Sequence, residues 1–445
     1  MNSKKSIILS LIFVFAFIGL VAQPKDNSPY SRIGLGDPVD NRFVHLRSTG
    51  LGGAFYHPYQ INIINPASNG YLQATVFDLG IYAKYSNLST NDGASDVFSG
   101  NIEYLSLGFP LINPINDLLE KKVRKYDLGL SFTIMPNSNV GFDIESEKEY
   151  EDIGKVTRRY KGSGGTYKFL TGIGGRYENF AFGLNLGYFF GKINYDKTVI
   201  FQNIPSSFAN DYHDDFGVNG FIYNIGTIYN LILNKDKMTK TNNVKPKKII
   251  LGLYGGSKTG FNVSGTTYNR SYIDNSPHSA QSIDTVYYND TIKGRGTLPT
   301  NIGGSIMYDN QGKLIVGLDY SMAMWNQYHN DIKDETLHNS YDISLGMQYT
   351  PDETSYTNYF RRINYRTSLY YKTDPRSENN IQFNETGIHL GVGLPFVYKR
   401  KISRMNVDLN FGKKKGGGLI SENFVKLSFS VTFNDTEWFV KRKYY

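Results

Sequence analysis

The feature that most constrains this chain is a side-chain alternation of period two, repeated in segments about ten residues long. Phe182, Leu184, Leu186, Tyr188 and Phe190 form one apolar row, and Gly183, Asn185, Gly187 and Gly191 occupy the other face, with Phe189 as the exception. Leu314, Val316, Leu318, Tyr320, Met322 and Met324 repeat the pattern against Gly317, Asp319, Ser321 and Ala323. Ile388, Leu390, Val392 and Leu394 do so against Gly387, His389, Gly391 and Gly393. Successive side chains of a strand point to opposite faces, so these are strands with one apolar face. A soluble sandwich alternates in the same way. The membrane barrel is favoured by the strand length, by the small or polar second face, and by a mean hydropathy of −0.39 despite 35 Tyr and 28 Phe. In lipid every backbone amide must be paired internally, and a closed barrel is the β solution that does so.

The chain has 445 residues without a linker or composition shift to divide it, which suits one large β architecture. Helical periodicity is nearly absent, and beyond the N-terminus nothing approaches the ~18 apolar residues of a membrane helix. Lys4 and Lys5 precede an apolar run from Ile7 to Val21, with Ala22 before Gln23, the layout of a secretory signal peptide over residues 1–22. Its removal takes the formal charge from +8 to +6, an excess that suggests no nucleic-acid partner. With no cysteine, a disulfide framework and a lipid-modified N-terminal Cys are both excluded. Export combined with strands points to the outer membrane of a Gram-negative cell.

Fifteen strand candidates follow: 75–88, 101–109, 126–134, 140–150, 156–177, 180–202, 218–233, 248–269, 298–308, 314–328, 340–350, 363–373, 382–396, 404–412 and 423–433. Bacterial single-chain barrels take even numbers. The third and fourth are separated only by Met135, Pro136, Asn137, Ser138 and Asn139. Proline gives no ladder donor, so Pro136 either ends a strand or sits at a break or bulge within one. The second choice gives fourteen. Connections such as 176–179 and 309–313 then lie with both chain ends as short periplasmic turns, and 203–217 and 270–297 become long outer loops. The last strand carries Val425, Leu427, Phe429, Val431 and Phe433 against Lys426, Ser428, Ser430 and Thr432, and resembles the signal read by the barrel-assembly machinery, a partner during biogenesis. The tail 434–445, with Trp438, Phe439, Lys441, Arg442 and Lys443, extends past it and reads as an interfacial anchor.

Before the strands lies "TGLGGAFYHPYQINIINPASNGYL", residues 49–72. Gly50, Gly52 and Gly53 let backbone turn or approach a wall closely, Ala54 keeps that approach narrow, and Asn65, Pro66 and Ala67 set an extended or turn conformation. So few large apolar residues cannot build a core. Residues 23–74 are expected inside the lumen of the barrel 75–433, with a surface arm under the barrel as the alternative.

"LRSTGLGGAF" followed by "INPAS" is similar to the N-terminal hatch of the long-chain fatty acid transporter (FadL/TodX) family of outer-membrane proteins. "YDLGLSFTIMPNSNVGFDI" resembles that family's kinked third strand and "FAFGLNLGYFFGKI" its fifth, so the chain reads as a divergent, Bacteroidetes-like member. The resemblance implies an all-β, antiparallel transmembrane barrel of about fourteen strands with a plug in its lumen. It also implies a lateral opening at Met135, Pro136, Asn137, Ser138, Asn139 and Val140. Passive uptake of a hydrophobic small molecule, fatty acid-like, into outer-membrane lipid is the function it implies. The alternative is an accessory barrel subunit with an envelope protein partner, because the PorV secretion shuttle resembles this family in fold. An apolar lumen pocket favours uptake, and a filled lumen together with an apolar outer-loop patch favours the accessory role.

The remaining motifs are weak. "GGSKTG" at 255–260 departs from a phosphate-binding loop at Ser257, and no helix follows. Asp211, His213, Asp214 and Asp215 offer metal ligands in an expected outer loop, where a solvated acidic loop is the simpler reading. Lys413–Lys415 before Gly416–Gly418 read either as a contact to lipid phosphates or as a mobile cationic hairpin tip, and Arg361, Arg362 and Lys399–Lys401 as periplasmic turns. The seven scattered histidines show no catalytic ordering, so no enzyme and no cofactor is expected.

Overall fold

A computed structural model describes residues 28–90, 93–112, 115–117, 121, 124–204, 207–235, 245–273, 281–333, 335–398, 401–416 and 420–436. The expected signal peptide, most of the tail including Trp438 and Phe439, and Gly417–Gly418 lie outside the described residues. Eighteen hydrogen-bonded runs form one sheet. Two of them, Asp37–Pro38 and His329–Asn330, are two-residue bridges, and two pairs of runs each make one wall strand with a break. Fourteen antiparallel wall strands remain: β1 (Thr75–Ser89), β2 (Ala94–Pro110), β3 (Tyr126–Tyr150), β4 (Gly154–Tyr177), β5 (Phe180–Phe201), β6 (Phe208–Ile232), β7 (Lys247–Gly256 and Thr259–Ile273), β8 (Gln281–Leu298 and Asn301–Asn310), β9 (Leu314–Ala323), β10 (Ser340–Tyr349), β11 (Asn364–Glu378), β12 (Ile381–Tyr398), β13 (Lys401–Gly416) and β14 (Ile420–Asp435). The barrel closes where β14 pairs with β1 from Asp435↔Thr75 to Ser421↔Ser89.

The two faces settle the choice between sandwich and membrane barrel. Ser344, Ser368, Ser428, Ser430 and Thr432 are buried, while their strand neighbours Leu345, Leu369 and Leu427 are 52%, 55% and 46% exposed. Apolar side chains outside and polar ones inside invert the pattern of a soluble fold. Among the described residues no helix is long and apolar enough to cross a membrane, and the strands do the crossing. The protein is an outer-membrane barrel in a lipid environment.

Residues 126–134 and 140–150 form one strand, β3, in which Asn137 is the extra residue of a bulge opposite Tyr167 and Thr166. Pro136 is therefore within a strand and not in a turn. Residues 208–217, 270–273 and 281–297, expected within long outer loops, are ladder instead, with β6 pairing to β7 from Phe208↔Ile273. Alternation there is carried by polar and aromatic residues, so it did not register as strand. The wall thus rises higher across β3 to β8 than across β9 and β10. On the side of the chain ends, 177–180 and 310–314 are tight, but 111–125, 233–246 and 350–363 are long, a correction to the expected short turns. Residues 324–328 do not continue β9: a 3-10 turn, Trp325–Gln327, follows Met324. Lys413–Lys415 belong to β13 instead of a hairpin tip, and Lys414 points inward to Asp374 at 2.8 Å.

Candidate functional site: the lumen and the interrupted seam

Residues 28–74 are buried at most positions and pack against the wall strands. The short helix α1 (Val44–Thr49) is buried throughout and ends on Gly50, whose φ of 63° is the left-handed conformation that glycine adopts at helix ends. One helical turn and two 3-10 turns leave many backbone groups without partners in the segment itself, and buried polar groups require them. Inward-facing polar side chains of the wall provide them. Asp319 accepts from the amides of Gly52 (3.0 Å) and Gly53 (2.7 Å). Ser344 donates to Gly50 O and Ser368 to Arg47 O, at 2.9 and 2.8 Å. Asn185 and Asn224 donate to Ile63 O and Ile64 O, each at 2.8 Å. Asn65 caps the 3-10 turn Pro66–Tyr71 by accepting from Ala67 N at 3.1 Å, and its amide donates to Gly53 O at 2.6 Å. Ala54 and Ala67 are fully buried.

The glycines on the second face of the strands now have a spatial reason. A methyl group at Gly129 would fall under 3.0 Å from Asn69 O, and one at Gly346, Gly252 or Gly183 would meet the backbone of Thr49, Gly53 or Pro66 as closely. Segment backbone lies directly on wall backbone at these points. Apolar anchors complete the contact: Phe43 stacks on Tyr104 with ring centroids 3.7 Å apart, and Leu46, Leu51, Phe55 and Ile61 share their cluster with Val76, Ile228 and Ile250 of the wall.

Three arginines fasten the segment ionically. Arg42 bridges Asp40 (2.8 Å) and Asp342 (3.1 Å). Arg47 pairs with Glu103, which also accepts from Lys426 at 2.7 Å. Arg376, from β11, holds Asp37 and Asp374 and donates to Tyr30 O at 2.9 Å. The Arg42 guanidinium beside Asp40 holds that carboxyl far below the usual carboxylate range. A cavity of about 520 Å³ lies beside these ion pairs, and its lining mixes Asp40, Arg42, Lys168, Asp342, Lys372 and Arg376 with apolar side chains that include Leu35, Ile222, Met322 and Trp325. These charges escaped the sequence reading. Their signal was present in isolated ionisable residues on the small-residue face of alternating strands, as at Glu103, Asp319 and Arg366.

The seam between β2 and β3 is interrupted. Pairing runs from Pro110↔Gly129 to Leu105↔Ile134 and stops there, although both strands continue. A bulge flanks the stop on each side. On β2 the extra residue is Glu103, between the pairs Gly80↔Tyr104 and Ile81↔Ile102, and on β3 it is Asn137. Met135, Pro136, Ser138, Asn139 and Val140 are all buried, so alternation of exposure is lost where both faces are covered. The freed edge of β3 is taken by the N-terminal segment. Asp37 and Pro38 pair with Asn139 and Ser138, Val39 N donates to Asn137 O at 3.0 Å, and Ser28 N to Gly141 O at 2.7 Å.

The candidate metal ligands lie on β6, not in a loop. His213 pairs with Asp196, Asp211 accepts from Thr198, and Asp215 pairs with Lys192 at 2.6 Å, while Asp214 accepts from Thr267 at 2.6 Å. Neighbouring strands engage each of them separately, and no group of three or more potential ligands gathers among the described residues.

The family model described as BamG matches the chain over residues 3–445. No curated protein sequence matches it significantly. Among solved structures it is similar to the CymD monoaromatic hydrocarbon channel, with 15% identity, 87% of this chain and 96% of that one covered, and a TM-score of 0.51. It is also similar to the toluene transporter TodX of P. putida, with 13% identity, 88% and 97% covered, and a TM-score of 0.54. At these identities the likeness concerns the fold alone. On the match that spans it, the chain belongs to the BamG family, whose member here has the fold of FadL/TodX-type outer-membrane hydrocarbon channels.

Proposed function

We propose that the protein is a structural or accessory barrel subunit of an outer-membrane protein secretion or assembly complex, with residues 23–74 serving as a fixed plug. The observation that carries this reading is the content of the lumen. Buried ion pairs and wall-to-segment hydrogen bonds occupy it, and the cavity beside them sets charged groups such as Asp40, Arg42 and Lys372 among apolar side chains such as Leu35, Met322 and Trp325. An apolar molecule entering that space would strip water from charged groups and give them no partner in return. The chain's own family is BamG, whereas the hydrocarbon channels share 15% identity or less with it. Kinship with the PorV shuttle and delivery by the barrel-assembly machinery belong to the same proposal. Native mass spectrometry of the protein extracted from its own membrane tests it. A stoichiometric protein partner is expected, and particles holding lipid alone would overturn it. Cysteines at Ala54 and Ala67 should resist bulky thiol reagents in the folded protein, and rapid labelling of both would remove the plug.

The interrupted seam favours a second reading, passive uptake of a fatty acid-like molecule that leaves through the wall at residues 135–140. Replacing residues 136–139 by a regular Val-Thr alternation should then abolish uptake while the barrel still folds. Uptake equal to wild type would end this reading.

A further inference from the structure

The interruption leaves two strand edges, and they are treated differently. The β3 edge is capped by the chain's own Ser28–Val39. The β2 edge from Ala94 to Tyr104 pairs with β1 on one side and has no backbone partner on the other among the described residues. Ile102 N–H turns back on the side chain of Asn101 at 2.8 Å, which shows that it points away from β1. By the two-residue period the amides of Gly100, Phe98 and Asp96 point the same way. This edge is about 35 Å long at ~3.4 Å per residue. It does not lie wholly above the membrane. Phe98 and Ile102, 52% and 57% exposed, face outward opposite Tyr85 and Ile81 and belong to the lipid-facing band.

The amides of Asp96, Phe98 and Gly100 have no backbone partner among the described residues and Ile102 N–H has only its neighbour's side chain, an arrangement not tolerated at that depth against hydrocarbon. Acyl chains carry nothing to pair with this edge, and among the described residues the segment beside it, Ser28–Val39, is already committed to β3. Only another backbone in extended conformation satisfies alternating N–H and C=O groups along a strand. We infer that the open edge of β2, Ala94–Tyr104, is a strand-addition site for an extended segment of a membrane-protein partner. That segment would carry apolar residues outward beside Phe98 and Ile102 and small or polar residues inward beside Ser99. The inference rests on the accessory-subunit reading and names the place where the subunit grips.

The test is amide hydrogen exchange over peptides covering 94–104, measured in particles extracted from the native membrane and in partner-free barrel reconstituted into vesicles of the same lipids. Exchange at least tenfold slower in the native particles is expected. Equal exchange in the two preparations, fast or slow, overturns the inference, and equally slow exchange assigns the edge to lipid or to the chain itself. Gly100→Pro removes one gap-facing donor and is expected to lower the co-extracted partner at least tenfold, with heat-modifiable migration on gels retained. Phe98→Asp, on the outward side of the same edge, serves if the proline variant does not fold. An unchanged partner yield in a folded variant overturns the site. A partner that co-extracts without protecting 94–104 leaves the accessory reading standing and removes this one, whereas native particles without any protein partner remove both.

Discussion

At the residue scale the informative positions are those where the wall has no side chain. Gly346 lies against the backbone of Thr49 and Gly129 against that of Asn69, so even one added methyl must push the segment off the wall. Gly346→Ala is expected to cost about 1–3 kcal/mol, the usual range for overpacking, read as a lower urea midpoint for proteolytic release of the segment. Asp319→Asn keeps the shape but weakens two charge-assisted bonds to Gly52 N and Gly53 N, with an expected loss of about 1–3 kcal/mol by the same assay. His45 and His57 add a pH dependence. Burial holds both well below their ordinary value of 6.5, and His57 Nε2 accepts from Arg404 at 3.0 Å, which requires the neutral ring. A base whose folded pKa is depressed binds its proton more readily when released, so stability is full above about 6.5 and falls as pH drops below it, by up to ~1.4 kcal/mol per unit for each histidine. Protection factors over 43–62, with the intrinsic pH dependence of amide exchange divided out, should therefore fall between pH 7 and 5.5, and His45→Phe should halve the slope of their logarithm. The Gly50–Ala54 and Asn65–Ala67 positions were legible in sequence as close-approach and turn chemistry, but the surfaces that they approach come from strands more than a hundred residues away.

The elements were legible wherever one face was apolar, because lipid on the outside imposes that pattern on every strand it touches. Fourteen strands followed from parity together with Pro136. Legibility failed above the membrane, at 208–217 and 281–297, where water bathes both faces and no periodicity of hydropathy is required. It failed again inside, where Arg42, Arg47 and Arg376 find carboxylates on other elements. Arg42 is the clearest case: Asp40 and Asp342 share it as their ion-pair partner. Arg42→Met leaves both carboxylates uncompensated and should cost about 3 kcal/mol, the low end for a buried pair because each retains some exposure. The triple replacement with Asp40→Asn and Asp342→Asn should recover a large part of that loss in the urea assay.

For the whole molecule the asymmetry of wall height fixes an orientation. Both ends of the barrel strands, Thr75 and Asp435, meet at one rim with the long connection 350–363, and the tall extensions of β3 to β8 stand at the other. The absence of native cysteine makes a direct measurement possible. In intact cells a membrane-impermeant thiol reagent should label Asp290→Cys, and should reach Tyr356→Cys, where the native side chain is 98% exposed, after the outer membrane is permeabilised. Labelling in the reverse order would invert the barrel and move the strand-addition site to the opposite leaflet.

The position of the segment also sets an order of events in time. Its first residues leave the secretion machinery ahead of every strand, yet the surfaces that satisfy Arg47, Gly50, Gly52, Gly53 and Ile63 are assembled from β5, β9, β10 and β11, and the ring is not closed until Phe433 meets Phe77. The part of the chain made first is therefore the part that folds last, after contacts spanning more than three hundred residues have been formed. Throughout that interval residues 28–74 lack the wall groups that satisfy their backbone in the folded protein. Arrest of biogenesis before the final strand pairs would leave a nearly complete wall whose contents are still outside it.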